Sequence, residues 1–162
     1  MTASFHNLYN YKFTLIDVID GDTVKGLVHL GMGVTLDQQN FRLYGIDTPE
    51  KRGHQKPFGD LVTERLKLKF ESKRNELEER AKKSGLKGKK LKEAIEEATQ
   101  LYIRTHKDKR GKYGRFLIQI HASDMFSFNK WLLNQNYAVD YHGKSKAAIT
   151  KAHAENRKIV MG

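Results

Sequence analysis

Phe41-Arg42-Leu43-Tyr44-Gly45-Ile46-Asp47-Thr48-Pro49-Glu50 turns a buried strand into a cluster of charges within a few residues. Side chains alternate along a strand, so Phe41, Leu43 and, past Gly45, Ile46 face a core while Arg42 points the other way. Pro49 ends the strand and holds Thr48 extended, which places Asp47 and Glu50 on a stiff turn. Two carboxylates and a guanidinium fixed in this way suit a hard cation and a phosphate. The same ten residues also read as a strand end with ordinary surface charges, and the flanking sequence has to decide.

Upstream, Phe13, Leu15, Ile16, Val18 and Ile19 interspersed with Lys12, Thr14 and Asp17 form a run rich in β-formers. It ends at Asp20-Gly21-Asp22, an Asp-Gly turn signal that leads into Thr23-Val24-Lys25-Gly26-Leu27-Val28-His29-Leu30 as a hairpin. Gly31-Met32-Gly33 makes the next turn, and residues 34–43 return as a third strand. Asp20 and Asp22 reach Asp47 and Glu50 only if this sheet rolls into a small barrel, which a glycine inside the second strand, Gly26, permits. Residues 1–10 lack periodicity and carry no functional signal.

Downstream of a basic loop over 51–57, Val62, Leu66, Phe70, Leu77 and Ala81 share one face of a helix expected over 59–83. Ser84-Gly85-Leu86-Lys87-Gly88 breaks it, and Leu91, Ala94, Ile95 and Ala98 mark one face of a second helix over 89–100. The two read as a helical hairpin. Leu101-Tyr102-Ile103-Arg104-Thr105-His106 and Arg115-Phe116-Leu117-Ile118-Gln119-Ile120-His121 alternate as strands four and five. A short helix over 128–135, with Trp131 expected in the core, an apolar extension over 137–141 and a closing helix over 146–158 complete an α+β pattern.

Composition bounds what such a chain does. At 162 residues and 38% apolar it buries one core of ordinary size, so a single domain over 1–162 is expected. The absence of cysteine excludes disulfides, thiol chemistry and cysteine metal sites. The seven histidines show no His-Glu-x-x-His spacing and are read as structural or solvated. No P-loop, dinucleotide glycine pattern or serine nucleophile arrangement is present. No run approaches the roughly 20 apolar residues of a membrane span, and no secretion signal opens the chain, so a cytoplasmic protein, cellular or phage-encoded, is expected. Thirty Lys and Arg against nineteen Asp and Glu give a net charge of +11, which favours a polyanionic partner.

Four segments in this order resemble the staphylococcal-nuclease-like (thermonuclease) family: Val18-Ile19-Asp20-Gly21-Asp22-Thr23-Val24, the opening decapeptide, Lys112-Tyr113-Gly114-Arg115, and Asn129-Lys130-Trp131-Leu132-Leu133-Asn134-Gln135-Asn136-Tyr137-Ala138. The resemblance spans about residues 13–159. It implies a five-stranded OB-like β-barrel packed with about three helices, and the hairpin over 71–100 is then an insertion. It also implies an endonuclease that hydrolyses phosphodiester bonds in DNA or RNA with Ca²⁺, or with Mg²⁺ as a second oxygen-preferring ion.

Residue by residue, the resemblance makes Asp22, Asp47 and the Thr48 carbonyl the metal ligands, with Asp20 behind them. It makes Glu50 the base that orients or deprotonates water, and Arg42 and Arg115 the clamp on the scissile phosphate. Lys112 and Tyr113 match contacts to a nucleotide's terminal phosphate, and Tyr141 falls near a nucleotide-side tyrosine. Chemically, an oxygen-only donor set suits Ca²⁺ or Mg²⁺ over zinc, and arginine offers phosphate two parallel donors. A non-catalytic nucleic-acid-binding module on the same barrel is the alternative reading, and a monomer is expected. The hairpin tip lies outside the resemblance: residues 80–92 hold seven basic side chains and no acidic one. Lys87, Lys89, Lys90 and Lys92 are therefore expected to touch nucleic-acid backbone.

Overall fold

The computed structural model describes residues 9–106, 116–142 and 144–162. Strands β1 (Asn10–Asp20), β2 (Thr23–Gly31) and β3 (Val34–Leu43) form the expected meander. They close into a barrel with β5 (Leu101–His106) and β6 (Phe116–His121) in the order β1-β2-β3-β6-β5. All neighbours are antiparallel except β3 and β6, which run parallel with Phe41 opposite Phe116. This is the α+β, five-stranded architecture read from the sequence.

Closure depends on Gly26. A Cβ there would sit inside the Phe13 ring and against the Thr14 carbonyl, and the β2–β3 register slips between Gly26 and Val28. The bare backbone lets the sheet bend around Phe13, whose ring meets Phe41 edge-on at 5.6 Å. Phe13, Phe41, Leu43, Ile103, Ile118 and Ile120 fill the barrel. Each such side chain contributes about 1.5–3 kcal/mol by leaving water.

Helix α1 (Lys56–Lys82) begins three residues earlier than the hydrophobic period indicates, because Pro57 in its first turn favours helix initiation. It runs without a break through Glu71, so one 27-residue helix both covers the barrel and forms the first arm of the hairpin. Val62, Leu66, Phe70 and Leu77 are buried as expected, while Ala81 is half-buried. Lys73 on the same face was not anticipated. Its Nζ lies 2.6 Å from Asp124 and 3.2 Å from Glu76, so its stem packs while its charge is paired. Helix α2 (Gly88–Thr99) has no fully buried residue, and Leu91, Ala94, Ile95 and Ala98 are half-buried.

Helix α3 (Phe128–Asn134) puts Phe128 and Leu132 into the core, with Phe128 stacked on Phe70 at 4.2 Å. Trp131, expected there, is half-buried on the adjoining face, edge-on to Tyr137. A seven-residue helix offers one inward stripe, and Leu132 takes it. Two short strands, β4 (Ile46–Asp47) and β7 (Val139–Asp140), pair antiparallel outside the barrel. Helix α4 (Lys146–Met161) follows, capped by Ser145, whose Oγ accepts from the Ala148 N–H. No helix among the described residues is long and apolar enough to cross a membrane.

Candidate active site at the barrel rim

Three turns converge where β1 meets β2, where β3 gives way to β4, and where α1 begins. In the first, Gly21 is required by proximity: a Cβ would lie 2.7 Å from Val62 Cγ1 and 2.8 Å from Thr48 Oγ1. The turn is thus pressed against α1 and the Thr48 segment, and Asp22 is buried at 8% exposure. Its Oδ1 accepts from the Thr23 hydroxyl at 3.2 Å and its Oδ2 from the Thr48 N–H at 3.2 Å. Gly59 performs the same service for the third turn, since a Cβ there would overlap the Glu50 carbonyl.

The decapeptide behaves as its alternation predicts. Phe41, Leu43 and Ile46 are buried to within 2% and Arg42 points outward. The exit of β3 is pinned by buried Asn129 on α3, which donates to the Tyr44 and Ile118 carbonyls and accepts from the Ile120 N–H. Thr48 and Pro49 are buried and Glu50 is exposed, so the turn is held from below and presents its carboxylate to solvent. The Glu50 N–H is fixed by Gln55 Oε1 at 2.9 Å, and its Oε2 lies 3.8 Å from Arg52.

Arg42 is the hub. Its Nη2 donates to Asp47 Oδ1 at 2.9 Å and lies 3.7 Å from Asp22 Oδ2, so one cationic nitrogen is shared by the two carboxylates predicted to hold a metal. Its guanidinium also sits 5.4 Å from the centroid of the Tyr141 ring. Asp20 lies behind. Burial raises its pKa first, and the neighbouring Asp22 and Glu50 carboxylates add to the rise against Lys51 and Arg52. Its Oδ1 is buried without a hydrogen-bond partner among the described residues. Negative charge is therefore concentrated at this rim.

One contact escaped the sequence reading. His153 of α4 is 3% exposed, and its Nε2 is 2.7 Å from Asp47 Oδ2. Of the two sequence expectations, structural or solvated, His153 meets the first, and it lies on the Asp47 carboxylate. The only available signal was its four-residue spacing from buried Ile149, which puts both on one helical face. Arg115, Lys112 and Tyr113 lie outside the described residues. Lys87, Lys89 and Lys90 are exposed at the far end of the hairpin and join none of these contacts.

Among the described residues no three His, Asp or Glu side chains are grouped tightly enough to enclose a cation unaided. The donors nevertheless fit an oxygen-preferring dication, because Asp22 and Asp47 already share a cationic partner and the orphaned Asp20 oxygen adds negative potential from behind. The Thr48 segment is tied to Asp22 through its backbone N–H.

The family model for staphylococcal nuclease homologues matches residues 40–160. The chain belongs to this family. Among curated proteins no match was found. The staphylococcal nuclease homologue match begins at Asn40, so Arg42, Asp47, Thr48, Glu50, Arg115, Tyr141 and His153 lie within it, and Asp20 and Asp22 precede it.

Proposed function

We propose that this chain is a nuclease that hydrolyses phosphodiester bonds in DNA or RNA with Ca²⁺, or another oxygen-preferring divalent cation such as Mg²⁺. The observation that carries the reading is Arg42 held between Asp22 and Asp47, with the exposed Glu50 three residues beyond Asp47 on the same turn. Asp22, Asp47 and the Thr48 carbonyl would hold the cation. When bound, it supplies the field that eases hydroxide formation and stabilises charge on the phosphate.

The remaining work belongs to the chain's own side chains. Glu50, free of burial and backed by a fixed main chain, accepts the proton of an attacking water at a carboxylate oxygen. Arg42 turns its forked donors from the carboxylates to the phosphate oxygens, where charge grows as the water adds. Arg115 is the second clamp. Tyr141 orients the Arg42 plane and offers a ring edge to a nucleotide, and Lys112 and Tyr113 contact a terminal phosphate.

The test is incubation of labelled single-stranded DNA, duplex DNA and RNA with Ca²⁺ or Mg²⁺. Cleavage of any of them is expected. Retarded but uncut substrate in all conditions identifies a binding module on the same barrel and overturns the proposal.

A further inference from the structure

We propose that the α1–α2 hairpin is a stiff basic arm that holds nucleic-acid backbone about 35 Å from the scissile phosphate. This rests on the proposal that the rim takes nucleic acid. Helix α1 starts against the site, with Gly59 on the Glu50 carbonyl, and continues unbroken to Lys82. At 1.5 Å per residue that is a reach of about 35 Å. Stiffness comes from the buried side chains Phe70 and Leu77 and from the Lys73–Asp124 ion pair, which fasten the middle of the helix to the barrel.

At the tip, charge is segregated. Lys82 is paired with Glu79 at 3.2 Å and Arg80 with Glu76 at 3.1 Å. Lys83, Lys87, Lys89, Lys90 and Lys92 are exposed and make no ion pair among the described residues. Lys87, Lys89 and Lys90 stand at the start of α2, which has no acidic residue in its first turn and no side-chain cap. Cations are disfavoured there by the helix dipole, so helix stability does not account for them. A flexible phosphate polymer is the partner that unpaired, rotatable ammonium groups fit, and such contacts carry no sequence preference. At about 3.4 Å per base pair, the reach corresponds to about 10 base pairs of duplex.

The experiment compares wild type with the combined variant Lys87→Gln, Lys89→Gln, Lys90→Gln and Lys92→Gln in chelator, so that nothing is cut. Duplexes of increasing length are titrated at several salt concentrations. A fall of about 2–4 in the magnitude of the log K against log salt slope is expected on long duplex, at about 0.9 per lost phosphate contact. The ratio of wild-type to variant affinity should rise once the duplex exceeds about 10 base pairs. Equal slopes with no length dependence overturn the arm, while absence of any binding by wild type overturns the nucleic-acid reading itself.

A separate observation assigns His153 as a positioning residue for Asp47. We infer that the Nε2–H of His153 fixes the carboxylate while Arg42 leaves it for phosphate. The two partners take different oxygens, Arg42 on Oδ1 at 2.9 Å and His153 on Oδ2 at 2.7 Å, so either holds without the other. His153 cannot wander: it is buried, and α4 is tied down by Asn156 to the Ala138 carbonyl and by Arg157 to the His54 carbonyl. Partners that orient a ligating carboxylate typically contribute 10–100-fold to metal affinity.

Calcium titration by calorimetry of wild type, His153→Leu and His153→Gln reads this directly. His153→Leu should bind about 10–100-fold more weakly, and His153→Gln, whose amide N–H can replace Nε2–H, should recover most of the loss. A metal-free unfolding cycle with Asp47→Asn should show coupling between the two residues. Equal affinity in His153→Leu, or no recovery by Gln, overturns the positioning role. If wild type binds no divalent cation, the metal-site proposal falls first and takes this role with it.

Discussion

Glu50→Gln separates chemistry from structure at this rim. The side chain is exposed, its backbone N–H is held by Gln55, and among the described residues its ionic contact is with the exposed Arg52 at 3.8 Å. The substitution keeps shape and leaves that backbone bond in place, so folding stability should change by no more than about 0.5 kcal/mol. The rate is another matter. A carboxamide accepts no proton at neutral pH, and a general base contributes about 10²–10⁴-fold, or about 2.7–5.4 kcal/mol of barrier. Unfolding in urea should superimpose on wild type, substrate should still be retained on a gel, and cleavage of labelled DNA or RNA should fall at least ~100-fold. Cleavage within a few-fold of wild type, with folding intact, would remove Glu50 from the mechanism and with it the assignment of this rim.

Arg42→Lys should be nearly as damaging to cleavage as Arg42→Ala, because an ammonium cannot present two parallel donors to phosphate. Recovery of most of the rate by lysine would reduce Arg42 to a general electrostatic contact. Asp124→Asn should destabilise the fold by about 1–2 kcal/mol in denaturant titrations, between the exposed and buried ranges, because Lys73 is buried while Asp124 is exposed and Glu76 remains beside Lys73. Burial pushes the Asp124 carboxyl up, but the hydrogen bonds from Lys73 and the Phe126 N–H outweigh it and hold its pKa below the ordinary value of 3.8. A depressed acid stabilises the folded state above its unfolded pKa and loses that stability as pH falls through the folded one. Wild type and Asp124→Asn should therefore converge in stability as pH drops below about 4, and a constant difference would contradict the pairing.

How much of this was legible depends on sequence separation. Phe41 and Leu43 announced their burial through alternation alone, Ile46 through the break in phase at Gly45, and Asp20-Gly21-Asp22 announced a turn, because these are local rules. What the turn glycine does was not local. Gly21 is fixed by Val62 and Thr48 pressing on it, which only the folded barrel reveals. His153 on Asp47 joins residues 106 positions apart, and no spacing rule reaches that far. Trp131 misled because size favours burial in general, whereas the inward stripe of the short α3 is taken by Phe128 and Leu132. Lys73 gave no local signal of burial, which depends on Asp124 arriving from the loop before α3.

The central claim is cation-dependent hydrolysis at a rim built from Asp22, Arg42, Asp47 and Glu50, and reversal by chelator tests it in one vessel. Cleavage of labelled single-stranded DNA, duplex DNA or RNA by wild type in Ca²⁺ should stop when a chelator is added and resume when Ca²⁺ is restored in excess. Asp47→Asn run alongside should stay far slower throughout. Cleavage that continues unchanged in chelator, or no cleavage with any divalent cation, would contradict the account.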